Sequence, residues 1–415
     1  MEIERIITIK KNSSLYKGKI IHENNKNITL KLKNGYYVGF NKENISIVNE
    51  LKYKKTSNNT NINYKKTYNE KKNLKNISFI ATGGTISCNS GNSEETVSPN
   101  LLIDDILKEF PIINKYANIK TKQIMNKLSE NIVPNDWIII ANEIKKEIES
   151  GVDGIIVTCG TDTMVYIASA ISFMIDTPIP IVFTGSQKSS DRPSSDNYMN
   201  LICSLSVAMS DISEVTIVMH ATISDDYCYV HRAVKTKKMH TTKRNTFKSI
   251  NTIPIAKVDF ETMKITILSK YNKKNKKELI SKINIEKKCC LIKYYPGLDP
   301  KIINYYIENN YKGIILECVG MGHVSEDWIE YIKNATEKNI LIVITSQCYF
   351  GRVGCHVYQS GMKLIESGAI EGEDLLPEVA LVKMMWLFGN YNDINYIKTM
   401  MSKNIRGEIE LQEYE

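Results

Sequence analysis

A chain of 415 residues, 42% of them hydrophobic, is long enough for two or three domains of ordinary size. Its 54 Lys+Arg against 46 Asp+Glu leave a net charge of +8, which permits an acidic partner such as RNA without specifying one. No apolar run reaches the roughly 18 residues of a membrane helix, MEIERIITIKK at the N-terminus lacks a signal-peptide core, and nine cysteines with no C-x-x-C pair speak against zinc and for a reducing, cytoplasmic setting.

The first segment, residues 1–50, holds the short strand patterns LYKGKII, NITLKLKNGYYVGF and NISIVN. Asn34-Gly35 is a dipeptide of two-residue hairpin turns. Short strands in so small a span predict a compact, SH3-like β-barrel, too small for a strong core of its own and suited to docking. Residues 51–75 are rich in Lys, Asn and Tyr with no Gly or Pro, which predicts a flexible basic linker.

From Asn76 onward, strand and helix patterns alternate. NISFIATGG reads as a strand, NLLIDDILKEF (100–110) as a helix and NIKTKQIM as a strand. PNDWIIIANEIKKEIESG reads as a helix with Asn135 and Asp136 as N-cap candidates and Gly151 as its stop. GIIVTCG, IPIVFTG and EVTIVMH are near-continuous apolar strands separated by helical patterns, the signature of an α/β fold with a parallel sheet covered on both faces. After a β-rich excursion near 225–285 the alternation restarts. The expected domains are therefore 76–270, with the site, and a smaller α/β unit over 285–405. The stripe LPEVALVKMMWLFGN, with Met384 and Trp386, is expected to be core or an interface rather than a cofactor box.

In such sheets, ligands bind beyond the carboxyl ends of the strands. Two such ends look alike here: TGGTI (82–86) and TCGTDT (158–163). Each turns at glycine and offers a threonine, Thr85 or Thr161, with backbone N–H groups free to face an oxyanion. The plain reading is a tight turn; the sharper one is a turn that presents a hydroxyl. Neither run is a dinucleotide or phosphate-loop motif. A threonine hydroxyl needs a base to act as a nucleophile at neutral pH. Lys235, Lys237 and Lys238 in HRAVKTKKMHTTKRNTF are candidates, although most lysines in such a run belong to a solvated loop. Cys348, Cys355 and His356 imitate a metal cluster but lack a fourth ligand. No metal is expected, and His220, His240 and His323 are expected to be structural.

ATGGTIS and GTDTM together, in this order and context, resemble the two signature motifs of the bacterial-type L-asparaginases and related amidohydrolases. The resemblance spans Lys75 to about Ile405. Within that family KLSENIVPNDW, HRAVKTKKMHTTKRNTFKS and TSQCYFGRVGCHVYQSG are most similar to the asparaginase-like subunits of archaeal tRNA-dependent amidotransferases. It implies a two-domain, flavodoxin-like enzyme core behind a small β-barrel. It also implies Thr85 as nucleophile on a glutamine amide, Thr161, Asp162 and Lys238 as a second catalytic group, and Ser129, Glu130 and Asp162 holding the α-amino and α-carboxylate ends. Ammonia would pass to a tRNA-binding partner subunit that uses ATP and Mg²⁺ to amidate Glu-tRNA(Gln). This chain itself would bind no cofactor and would form a homodimer within a heterotetramer.

Two positions depart from the family. Cys159 stands where histidine is common, and the lid between Ser87 and Pro99 has no tyrosine to assist Thr85. Glu94, Glu95, a water or a tyrosine from elsewhere is left for that task. A free-standing cytosolic asparaginase uses the same residues but leaves the N-terminal module unexplained. A non-catalytic scaffold on the same fold is disfavoured by the intact Thr85, Thr161, Asp162 and Lys238.

Overall fold

The computed structural model describes residues 3–11, 14–32, 37–54, 73–84, 88–90, 97–99, 111–189, 194–274 and 278–410. Strands β1 (Ile3–Lys11), β2 (Ser14–Glu23), β3 (Asn27–Leu32), β4 (Tyr37–Asn41) and β5 (Ser46–Lys54) pair antiparallel in the order β4-β3-β2-β1-β5. Alternation along the strands turns Ile7, Ile9, Ile28, Leu30 and Phe40 to one side, where they form a small separate core. This is the expected N-terminal β-rich module. Its Asn34-Gly35 turn lies outside the described residues. β5 runs on to Lys54, past the expected edge at residue 50, because β1 reaches back to Ile3 to pair with it. Of the expected linker, residues 55–72 lie outside the described residues.

The large domain opens with β6 (Lys75–Gly83). A short antiparallel pair follows, β7 (Cys88–Ser90) and β8 (Val97–Pro99); the helix expected over 100–110 lies outside the described residues. Next come β9 (Ala117–Lys127), α1 (Pro134–Glu149), β10 (Gly154–Thr158), α2 (Met164–Met174) and β11 (Ile175–Asp176). β12 (Ile181–Thr184), α3 (Asn197–Ala208) and β13 (Val215–His220) complete the alternation. The parallel part of the sheet has the order β9-β6-β10-β12-β13. β10, β12 and β13 are buried at every residue, as their unbroken apolar runs predict for a sheet with helices on both faces.

α1 departs from expectation at its start. Asn135 and Asp136 lie inside the helix behind Pro134, and Asp136, in the third position, reaches back to accept the Val133 N–H at 2.9 Å. Its carboxylate also pairs with Lys127 of β9 at 2.8 Å, so the cap ties the helix to the sheet. The expected stop holds: Gly151, at φ +85°, lets the chain leave the helix.

The β-rich excursion continues the same sheet antiparallel through β14 (Tyr227–Arg232). A ribbon of β15 (Thr236–Lys238) and β16 (Phe247–Ser249) then leaves it. The chain rejoins the sheet at β17 (Ala256–Asp259) and β18 (Ile265–Ile267), and β19 (Ile280–Ser281) pairs with β11. The second domain holds β20 (Cys289–Lys293), α4 (Ile302–Glu308), β21 (Gly313–Cys318) and α5 (Trp328–Glu337). It continues with β22 (Leu341–Ser346), α6 (Gln359–Glu366) and β23 (Ile370–Glu371), its strands forming a parallel sheet in chain order.

The apolar stripe forms α7 (Pro377–Asn390), which joins the domains, and is followed by α8 (Ile394–Met401). Met384 is fully buried, and Trp386 stacks on Phe173 of α2 with ring centres 5.8 Å apart. The tail runs past the expected boundary at 405 because Glu408, fully buried, pairs with the equally buried Lys383 of α7 at 2.7 Å. Among the described residues no helix is long and apolar enough to cross a membrane.

His231 of β14 is almost completely buried, with Nδ1 2.8 Å from Ser249 Oγ. Burial first, and the Lys248 charge second, lower its pKa from 6.5 to about 3. The unfolded chain therefore takes up this proton first as pH falls, so stability is complete above about pH 6.5 and is lost on the way down to about 3. Urea titrations between pH 4.5 and 7.5 should show a shallower loss of stability in His231→Gln than in the parent.

Candidate active site

In chain order the parallel strands run β6, β9, β10, β12, β13, yet β6 lies between β9 and β10. The connections therefore leave β6 and β10 toward opposite sides, and a crevice opens beyond their carboxyl ends. Both glycine turns sit there. β6 ends in Gly83 and Gly84, at φ +110° and +82°, values that favour glycine strongly. A Cβ on Gly84 would stand 2.2 Å from the Gly160 nitrogen after β10, and one on Gly160 would stand 2.0 Å from Ser129 Oγ after β9. Gly84 N–H also donates to Lys127 O at 3.0 Å, and Thr82 Oγ1 donates to Thr158 O at 3.0 Å. The absence of side chains thus brings the ends of three strands together. Thr85 lies outside the described residues, as do Glu94 and Glu95.

Thr161 is buried, at 4% exposed, while the Asp162 side chain is 70% exposed and faces open space. Lys238, at the end of β15, donates from Nζ to Thr161 Oγ1 at 2.9 Å and to Asp162 Oδ1 at 2.6 Å. These are charge-assisted hydrogen bonds between residues 77 and 76 positions apart in the chain. Ser129 is buried and its carbonyl accepts from Thr163 Oγ1 at 3.0 Å; Glu130 beside it is exposed. The structure therefore gathers Ser129, Thr161, Asp162 and Lys238 around the glycine crevice.

The other two candidate lysines are held by carboxylates. Lys235 is fully buried against Asp374, and Lys237 pairs with Glu378 at 2.8 Å. Cys159 is fully buried and desolvation pushes its thiol far up, so it is an inert packing residue and not a nucleophile. His220 is buried with Nδ1 2.7 Å from Asn200 Oδ1, and burial lowers its pKa. His240 Nδ1 accepts the N–H of Thr242 at 3.0 Å. Cys355 is buried whereas Cys348 and His356 are exposed, and no group of metal-ligating side chains occurs among the described residues.

One supporting element was not anticipated. Asp196, fully buried, accepts hydrogen bonds from Ser186 Oγ at 2.9 Å, from the N–H groups of Gln187 and Lys188 at 3.0 Å, and from Asn200 Nδ2 at 3.0 Å. It holds the loop whose Gly185 packs against Cys159 O and the Thr161 methyl. The only local signal is the polar run SQKSSDRPSSD between a buried strand and a helix.

Two families match this chain: "Asparaginase, N-terminal" over residues 76–272 and "Glutaminase/Asparaginase C-terminal domain" over 288–401. The chain belongs to the asparaginase family. It is 44% identical to the D subunit of glutamyl-tRNA(Gln) amidotransferase from Methanosarcina mazei, over 97% of each chain. To the protein of the same name from Archaeoglobus fulgidus it is 40% identical, over 97% of this chain and 94% of the other. Among solved structures it resembles the thermostable L-asparaginase from Thermococcus kodakarensis, with 29% identity and a TM-score of 0.73, over 81% of this chain and 100% of the other.

Gly84→Ala forces a Cβ into the Gly160 backbone. It should cost about 1–3 kcal/mol or more in urea denaturation and abolish amide hydrolysis, whereas Gly151→Ala, whose Cβ would meet nothing within 4 Å, should keep the activity.

Proposed function

We propose that this chain is the glutamine-hydrolysing subunit of a tRNA-dependent amidotransferase. Thr85 attacks the side-chain carbonyl of glutamine, and Thr161, Lys238 and Asp162 relay its proton toward the leaving nitrogen. Ammonia departs, a glutamyl ester remains on Thr85, and water then releases glutamate. Backbone N–H groups of the glycine turns face the oxyanion. Asp162 faces the α-amino group of the substrate, while Ser129 and Glu130 belong to the segment that receives its charged end.

The observation that carries this reading is the contact of Lys238 Nζ with both Thr161 and Asp162 at the mouth of the switch-point crevice. Full-length similarity to the amidotransferase subunits, N-terminal module included, favours it over a free-standing asparaginase, whose match stops at 81% of the chain. Ammonia from this site then serves a tRNA-binding partner in the cytoplasm, which uses ATP and Mg²⁺ to convert misacylated Glu-tRNA(Gln) to Gln-tRNA(Gln). This chain acts as a homodimer in that heterotetramer and holds no cofactor of its own. The domains assigned to these tasks are 1–50 for docking, 51–75 as tether, 76–270 for hydrolysis and 285–405 in support.

Ammonia release from glutamine and asparagine, with and without partner, ATP and Glu-tRNA(Gln), tests the assignment. Glutamine hydrolysis should be slow alone and rise with the full set, and Thr85→Val or Lys238→Ala should abolish it while circular dichroism stays parental. Fast asparagine hydrolysis indifferent to partner and tRNA would make the chain a free asparaginase. Removal of residues 1–75 should spare bare glutamine hydrolysis but weaken complex assembly in size-exclusion chromatography.

A further inference from the structure

The ribbon that carries Lys238 is attached on its other side to the second domain. Lys235, fully buried, pairs through Nζ with the Asp374 carboxylate, which is 3% exposed. The other Asp374 oxygen accepts the Glu410 N–H at 3.1 Å, so this acid is fixed in place. Lys237 pairs at 2.8 Å with Glu378, 6% exposed, in the first turn of α7. Where the ribbon ends, Asn251 exchanges hydrogen bonds of 2.9 Å with the backbone N–H and carbonyl of Gly351. Lys237 and Lys238 are consecutive in β15, so they point to opposite faces. One face is clamped to the second domain and the other presents Lys238 to Thr161 and Asp162.

A buried ion pair is a poor source of net stability, because desolvating both charges offsets their attraction. Its requirement is geometric: the ammonium and the carboxylate are both satisfied only at one relative placement of ribbon and α7. We propose that Asp374 and Glu378, acting through Lys235 and Lys237, are positioning residues for Lys238, so that the second domain sets the geometry of the relay in the first. This rests on the reading of Lys238 as part of that relay. Because misplacing a reacting group by about 1 Å costs on the order of a hundredfold in rate, release of the clamp acts on turnover while substrate binding persists.

The test is steady-state ammonia release from glutamine by the full-length chain, with thermal midpoints recorded alongside. Glu378→Gln and Asp374→Asn should each lower kcat at least tenfold with KM within twofold of the parent. Lys235→Arg, which keeps the charge pair, should retain kcat within twofold. Lys237→Met combined with Glu378→Gln should be no worse than Glu378→Gln alone, since the two act as one unit. Should Asp374→Asn fail to fold, Glu378→Gln decides the matter, because its partner Lys237 reaches solvent. A folded Glu378→Gln with parental kcat, or with only a raised KM, overturns the inference. Lys238→Met, run in parallel, separates the two readings. If it is inactive while Glu378→Gln is parental, only the clamp is wrong; if it is fully active, relay and clamp both fall.

Discussion

The contact on which the site depends is backbone against backbone, Gly84 on Gly160. Parallel strands that leave their neighbours in opposite directions open a crevice, but ordinary side chains would fill it. Here the ends of β6, β9 and β10 close on one another through glycine, and Ser129 fills the remaining gap. The result is a floor built of close backbone contacts, and Thr161 is buried beside it. Every polar group around the crevice is placed relative to that floor.

Charges are then brought in from a distance. Lys238 arrives on a ribbon outside the parallel sheet, and Asp162 meets it from the turn after β10. Elsewhere the protein buries further charges: Lys235 with Asp374, Lys383 with Glu408, and Asp196 with its ring of donors. Burying a charge is costly unless it is paired and hydrogen-bonded. Each therefore penalises arrangements in which the ribbon, α7 or the Ser186–Lys188 backbone has moved.

The division of labour follows the packing. The N-terminal module keeps its own core of Ile7, Ile9, Ile28, Leu30 and Phe40. The two α/β domains, by contrast, share a continuous apolar cluster through α2 and α7. A module with a separate core is free to serve a partner, whereas domains that share a core move together. The second domain thereby influences a site whose described polar residues all lie in the first.

Much was legible locally. The apolar runs of β10, β12 and β13, the stop at Gly151, the burial of Met384 and Trp386, and the glycine turns after two strands depend on a few consecutive residues, whose spacing sets which face they show. Resemblance to the asparaginases then singled out Thr161, Asp162 and Lys238, which the structure brings into contact. What local pattern could not supply is which lysine of VKTKKMHTTKR is solvated, because burial of Lys235 depends on an aspartate 139 positions away. Nor could it show Asp136 as a reach-back cap tied to Lys127, or Asp196 as the support of the loop beside Thr161. The sequence by itself determined the alternation of strands and helices and the glycine turns after two strands, because periodicity and backbone freedom are properties of neighbouring residues. Only the tertiary structure decided which charges meet, because an ion pair in a low-dielectric interior forms between whichever groups the packing of distant segments brings within reach.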